Sequence, residues 1–139
     1  MIHLIPVSDF PTYDETPDNA IIFATTGIDG CHYCMAEDND EMNIYIVFPN
    51  MGERSVYLIG HSISEMISYA LSIQGLFECI FDLEKDDFLR EVEDVKREFI
   101  TKRSNSRFTN DLLALKKVYP VTDISASEVY DKLRMMNCS

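Results

Sequence analysis

Short apolar runs dominate the first 60 residues of the chain. β-Branched and aromatic residues, which favour β-strands, are concentrated in three of them: residues 20–26, 43–48 and 55–60. Residues 31–36 lie between the first two runs, and residues 3–7 form a shorter candidate. Because the connections are short and a parallel crossover needs a dozen residues or more, successive strands are expected to pair antiparallel. The pattern predicts an antiparallel β-meander.

Helical periodicity replaces the strand pattern after residue 61. Ser62 and Glu65 have the spacing of a capping box, which marks the start of a helix. The apolar stripe of this first helix is expected on four residues: Ile63, Met66, Ile67 and Ala70. Gly75 suits its C-terminal end.

The longest predicted helix spans about residues 84–103. Its buried face is expected from apolar residues at steps of four, three and four: Phe88, Val92, Val95 and Phe99. A helix over about residues 107–119 follows, and another begins at Ser125. The expected fold is a single α+β domain over residues 1–139, with an antiparallel β-meander over about residues 1–60 and three to four helices over about residues 62–136.

Charge is unevenly distributed along the chain. The 24 acidic and 12 basic residues give a formal net charge of -12, in an otherwise ordinary globular composition with 46% hydrophobic residues. Residues 1–84 contain 14 acidic residues and one basic residue, Arg54, whereas residues 85–139 contain 10 acidic and 11 basic residues. These parts therefore carry net charges of -13 and +1. Binding to nucleic acid or to an anionic membrane needs clustered Lys and Arg, so neither partner is expected.

Several features favour a cytoplasmic protein. The N-terminus lacks the basic segment and the long apolar core of a signal peptide. No apolar run approaches the roughly 20 residues that span a bilayer. The four cysteines are few and unevenly spaced, which is typical of reduced thiols rather than of a disulfide framework: Cys31, Cys34, Cys79 and Cys138.

The motif Cys31-His32-Tyr33-Cys34 is the most distinctive local feature. Two cysteines at this spacing resemble half of a zinc knuckle, and they also occur in redox sites. A structural zinc ion needs four ligands, however, and the sequence holds no second paired cluster. Residues three apart on a strand also point to opposite faces of the sheet. We therefore expect the two cysteines to be small buried hydrophobic residues, and we predict no metal site and no cofactor.

An acidic run, EDNDE at residues 37–41, separates two predicted strands. Counted from Asp38, a calcium-binding EF-hand loop would need Gly at its sixth position and Glu at its twelfth, where this chain has Asn43 and Pro49. The run is therefore expected to be a solvated hairpin tip.

Catalytic motifs are absent from the sequence. The chain has no nucleophile elbow, no His-Glu-x-x-His and no glycine-rich phosphate loop, so no catalytic residue is predicted. Asp29 lies in a glycine-containing turn and His61 precedes a helix cap, and both are expected to have structural roles. The alternative hypothesis is a small enzyme or ligand-binding domain with a site near Asp29, His32 and His61.

Two segments between residues 20 and 71 carry a family resemblance. The first is IFATTGIDGCHYC at residues 22–34, where an apolar-Phe-Ala strand leads into a Gly/Asp-rich turn and an aromatic-containing strand. The second is the strand at residues 56–60 followed by the helix start SISEMI at residues 62–67. Together they resemble the Smi1/Knr4 (SUKH) superfamily. The resemblance implies an α+β interaction module, in bacteria commonly an immunity protein that neutralises a toxin, often a nuclease, and it implies no active site.

The charge distribution independently favours a basic protein partner. An acidic surface steers a basic partner towards it and can cover the partner's positively charged groove. The partner-binding residues are expected to be carboxylates near the sheet: Asp29, Glu37, Asp38, Asp40 and Glu41. The sequence thus favours a non-enzymatic protein-binding module, although solubility alone is an alternative explanation of the same charge.

Overall fold

Strands precede helices in the computed structural model of the chain. The structure describes residues 3–4, 19–25, 31–49, 55–102 and 107–138, with side chains described over 19–25, 31–49, 55–98 and 113–138. The strands are β1 (His3–Leu4), β2 (Ile21–Thr25), β3 (His32–Asp38), β4 (Glu41–Val47) and β5 (Val56–Gly60). The helices are α1 (Ile63–Ser72), α2 (Phe77–Ile80), α3 (Lys85–Lys102), α4 (Arg107–Val118) and α5 (Ala126–Met136). The predicted α+β fold class is confirmed, and the one-turn helix α2 is an addition to it.

The five strands form one sheet in the order β1-β2-β3-β4-β5, and every neighbouring pair is antiparallel. This is the predicted meander. The pairing shifts register between Ile22 and Ala24 of β2, and again between Ile44 and Tyr45 of β4. The short candidate strand near the N-terminus is present as β1, where His3 pairs with Thr25.

The two faces of the sheet belong to different apolar clusters, because successive side chains on a strand point to opposite faces. Tyr33, Ile44 and Ile46 are fully buried in the large cluster that also contains apolar side chains of α1, α2, α3 and α5. We call this the inner face. Cys34 and Val47 are fully buried on the other face. The main core therefore lies between the inner face and the helices.

Helix α1 begins and ends at local signals in its sequence. The Ser62 hydroxyl accepts a hydrogen bond from the Glu65 amide at 3.0 Å, as the capping box predicts. The Glu65 carboxylate accepts from the amide of His61 at 3.4 Å, one residue before the expected donor. At the other end, the Gly75 amide donates to the Ala70 carbonyl at 2.8 Å. Gln74 and Gly75 have φ of 56° and 72°, so the left-handed conformation of this Schellman-type end begins one residue before the predicted glycine.

The predicted apolar faces of the later helices are also present. Phe88 and Val92 of α3 are buried and Val95 packs against the same cluster, whereas the side chain of Phe99 lies outside the described residues. Helix α5 begins at Ser125, whose hydroxyl accepts from the Glu128 amide at 3.2 Å. Within the described ranges, no helix combines the length and the hydropathy that a membrane crossing demands.

A side-chain amide joins the end of α5 to the edge of the sheet. The Leu58 amide of β5 donates to Asn137 Oδ1 at 2.7 Å, and Asn137 Nδ2 donates to the Leu58 carbonyl at 2.8 Å. Asn137 Nδ2 also donates to the Leu133 carbonyl at 2.8 Å. Asn137 is buried and bonds both backbone groups of Leu58, as a neighbouring strand would. We call these hydrogen bonds the amide clamp. They give the backbone N–H and C=O of Leu58 their partners at the edge of the sheet, and they fix α5 against β5.

Replacing this amide is expected to destabilise the protein. Asn137→Ala removes three side-chain hydrogen bonds and leaves two backbone groups of Leu58 without their partner, which should cost about 2–3 kcal/mol. The free energy of urea-induced unfolding measures the loss. Met135→Ala, at a residue that is 76% exposed on the same helix, is the matched control and should change it little. Equal effects of the two substitutions would contradict the clamp.

Candidate functional site

The acidic run forms the tip of the hairpin between β3 and β4, as predicted. Asp38 and Glu41 are the last cross-strand pair, which leaves a two-residue loop of Asn39 and Asp40. Both loop residues have positive φ, 53° and 66°, as a type I′ turn requires. Asn and Asp are the side chains that best tolerate this left-handed conformation after glycine, so the local sequence favours a tight turn here.

Four carboxylates are concentrated at this tip, and all of them are exposed to solvent: Glu37, Asp38, Asp40 and Glu41. Asp38 lies directly opposite Glu41, an arrangement of like charges that weakens a strand pair. No Lys or Arg occurs anywhere in the first 53 residues, so the sequence offers no nearby cation from that part of the chain. The hairpin therefore presents a dense negative charge at some cost in stability.

An apolar groove adjoins the acidic tip. It has a volume of about 480 Å³ and is lined by Asn19, Ile21, Met35, Ala36, Glu37 and Met42. The cross-strand pairs place Ile21 beside Met35 and Glu37 beside Met42, so these four side chains share the inner face of the sheet. Ile21 is 52% exposed and Met42 is 40% exposed. Glu37 is the carboxylate on this face, whereas the cross-strand pair Asp38 and Glu41 points to the opposite face. We call the groove and the acidic tip together the hairpin surface: Ile21, Met35, Met42 and the four carboxylates of the tip.

The structure separates the two described residues of the alternative site, His32 and His61. Asp29 lies outside the described residues. His32 is buried and pairs with Val47 at one end of β4, whereas His61 is exposed and its Nδ1 lies 2.9 Å from Asn43 Oδ1 near the other end. Val47 and Asn43 are four residues apart on one strand, which corresponds to about 14 Å. The two histidines therefore lie at different ends of the sheet.

A second groove lies between α1 and the segment that leads into α5. It has a volume of about 430 Å³ and is lined by Ser62, Ser64, Glu65, Ser68, Tyr69, Pro120, Thr122, Ile124 and Lys132. The Ser68 hydroxyl donates to the Ser64 carbonyl and accepts from the Thr122 amide, which attaches the segment to the helix. The Tyr69 hydroxyl donates to Glu65 at 2.7 Å. Burial and then this hydrogen bond raise the pKa of Tyr69, so it remains protonated.

The cysteines of the Cys-x-x-Cys motif lie in separate clusters, as the strand geometry predicts. Cys34 is fully buried on one face, as expected, whereas Cys31 packs against the main core on the other and is only partly buried. Burial raises the pKa of the Cys34 thiol to about 12, and burial together with the Glu78 carboxylate raises the pKa of Cys79 to about 11. Among the described residues, no group of three or more His, Cys, Asp or Glu side chains is arranged to hold a metal ion.

Comparisons with protein-family models, with curated proteins and with solved structures gave no match for this chain. The functional interpretation therefore depends on the chain's own geometry. Sequence reasoning identified the hairpin carboxylates but not their apolar neighbours, Ile21, Met35 and Met42. The sequence contains a sign of this apolar surface. Met42 directly follows the acidic run and lies two residues before Ile44, so the two side chains are expected on the same face of the strand.

The tight turn can be tested by a pair of substitutions at its second residue. Asp40→Gly and Asp40→Ala remove the same carboxylate, but only glycine adopts a positive φ without steric cost. We expect the glycine variant to be more stable than the alanine variant by about 1 kcal/mol in urea unfolding. Because both variants lose the same charge, this difference isolates the backbone conformation. Equal stabilities would contradict a left-handed residue at this position.

Thiol reactivity tests the structural role of Cys34. At about pH 8, Ellman's reagent should modify Cys138 rapidly, because this thiol is exposed to solvent. Cys34 should react only on unfolding, because it is buried and its pKa is raised to about 12. Mass spectrometry of the labelled peptides identifies each site, and Cys138→Ser is the control that removes the fast phase. Rapid modification of Cys34 in the folded protein would support a redox or metal-binding role instead.

Proposed function

We propose that this chain is a non-enzymatic protein-binding module and that its hairpin surface binds a basic protein. The observation that carries the proposal is a hairpin tip with four exposed carboxylates, one of which, Glu37, lines an adjoining groove with exposed apolar side chains. Protein interfaces combine an apolar centre, which supplies most of the binding energy, with a polar rim that sets orientation and specificity. The hairpin surface has both parts.

The carboxylates of the hairpin surface explain why the partner is expected to carry positive charge. A surface with clustered charge of one sign accelerates association with an oppositely charged protein, and it disfavours partners of like charge. The hairpin carries the like-charged pair Asp38 and Glu41, which costs the isolated protein stability. Cationic side chains of a partner would neutralise that pair on binding.

The resemblance of residues 20–71 to the Smi1/Knr4 (SUKH) superfamily extends the proposal to an immunity-type or regulatory protein. The two segments that carry the resemblance, residues 22–34 and 56–67, lie on either side of the hairpin tip in the sequence, and the second leads into α1. Under this proposal the partner is a basic toxin, such as a nuclease, and binding covers its positively charged groove. We propose that the protein acts in the cytoplasm, which agrees with the presence of all four cysteines as thiols.

Neutralising the hairpin tests the proposal. We expect the variant Glu37→Gln, Asp38→Asn, Asp40→Asn and Glu41→Gln to bind the partner about 30-fold more weakly, if each carboxylate contributes about 0.5 kcal/mol. The tagged protein is used to capture basic proteins from its source cells, and the affinity of a captured protein is then measured by calorimetry. Binding should weaken as salt rises, because exposed charges are screened.

A control variant separates the hairpin from net charge in general. It neutralises four exposed carboxylates elsewhere: Asp86→Asn, Glu91→Gln, Glu93→Gln and Asp123→Asn. The control should retain the captured protein and most of its affinity. An immunity role further predicts that stoichiometric addition of the chain inhibits the toxic activity of that protein. Equal losses of binding in the two variants, or binding that is insensitive to salt, would contradict the proposal.

A further inference from the structure

The helical layer ends before the inner face of the sheet does. Ile44 is fully buried beneath the helices, whereas Met42, two residues further along β4 on the same face, is 40% exposed. Met35 packs against the core on one side and lines the groove on the other. Beyond it, Ile21 is 52% exposed. The apolar side of the sheet thus continues from the core into the groove, and among the described residues no helix covers this last part.

The geometry of this floor determines what kind of segment can cover it. At the groove, β3 is paired with β2 on one side and with β4 on the other, so its backbone groups have no place for an added strand. Over Met35 at the centre of the groove, an occupant must therefore lie on the face and make contact through side chains, as the chain's own helices do on the adjoining part of the sheet. An amphipathic helix with an apolar stripe fits this requirement.

The charges around the groove determine the polar face of that helix. Glu37 lines the groove itself, Asp40 lies in the adjoining two-residue turn, and Asp38 and Glu41 point to the opposite face of the hairpin. Two of the three apolar residues are methionines, whose flexible side chains adapt to different apolar partners. A symmetric contact between two copies through this groove would bring two acidic tips together, and like charges oppose that arrangement.

We propose that the groove binds an amphipathic helix of the partner, with leucine-like side chains on Ile21, Met35 and Met42 and with Lys or Arg facing Glu37 and the adjoining acidic tip. This inference rests on the proposed function, because the occupant is a segment of the basic partner. It adds the secondary structure of the recognised segment and the apolar residues that anchor it.

The test uses a defined probe in place of the partner. The probe is a fluorescein-labelled synthetic peptide of about 15 residues, with leucines at helical i, i+3, i+4 and i+7 spacing and lysines at the other positions. A scrambled peptide of the same composition has the same charge but no apolar stripe. Fluorescence anisotropy with the full chain should show that the patterned peptide binds at least about tenfold more tightly than the scrambled one.

Substitutions at residues that line the groove test whether the peptide binds there. Ile21→Ser and Met42→Gln should each weaken binding of the patterned peptide about tenfold, whereas the matched control Met135→Ser, at an exposed methionine of α5, should leave it unchanged. The two groove residues are partly exposed, and circular dichroism spectra that match those of the unsubstituted chain verify that their variants are folded.

The outcomes distinguish this inference from the proposed function. Equal binding of both peptides, or binding that is unaffected by Ile21→Ser and Met42→Gln, would overturn the helix-binding groove. In that case, capture of a partner that depends on the hairpin carboxylates would still support the proposed function. Self-association of the chain that is lost in Met42→Gln, measured by sedimentation, would identify a second copy as the occupant and also overturn the inference. Loss of partner capture in the four-carboxylate control would contradict the proposed function itself.

Discussion

Strands β3 and β4 pair along their full seven-residue lengths, and the rest of the fold depends on the alternation of side chains along this ladder. Tyr33, Ile44 and Ile46 point inward from it and form the floor on which the helices pack, whereas Cys34 and Val47 are buried on the opposite face. A register shift of one residue would exchange the two faces. The two-residue turn at the tip sets this register, because it leaves Asp38 and Glu41 as the final pair.

The same turn concentrates the features that we connect with function. A type I′ turn favours residues that tolerate positive φ, and this chain uses Asn39 and Asp40 where glycine would be more favourable. It also places acidic residues on both strands directly before and after the turn. Each choice costs some stability, whereas the edge strand β5 is stabilised by the amide clamp of Asn137 at Leu58. This contrast is expected where a surface is adapted to binding rather than to folding.

Local patterns predicted the elements well because their causes are local. The capping serines Ser62 and Ser125 and the apolar positions of α1 and α3 act within a few residues of themselves, and the structure contains them. The contacts that the sequence did not predict join residues that are far apart in the chain. Asn137 bonds Leu58 across 79 residues, and no pattern near either residue indicates that contact. The distance between His32 and His61 likewise depends on the register of β4, which links segments that a linear reading leaves independent.

The sequence by itself determined the fold class, the order of strands and helices, and an acidic hairpin within a stretch of 53 residues that contains no Lys or Arg, since these follow from composition and periodicity over short stretches. Only the tertiary structure decided which apolar residues remain uncovered. Met42 and Ile44 are both apolar and point to the same face of β4, yet Met42 is exposed and Ile44 is fully buried. The physical reason is the reach of the helical layer, which depends on how distant helices pack and not on the residues of the strand.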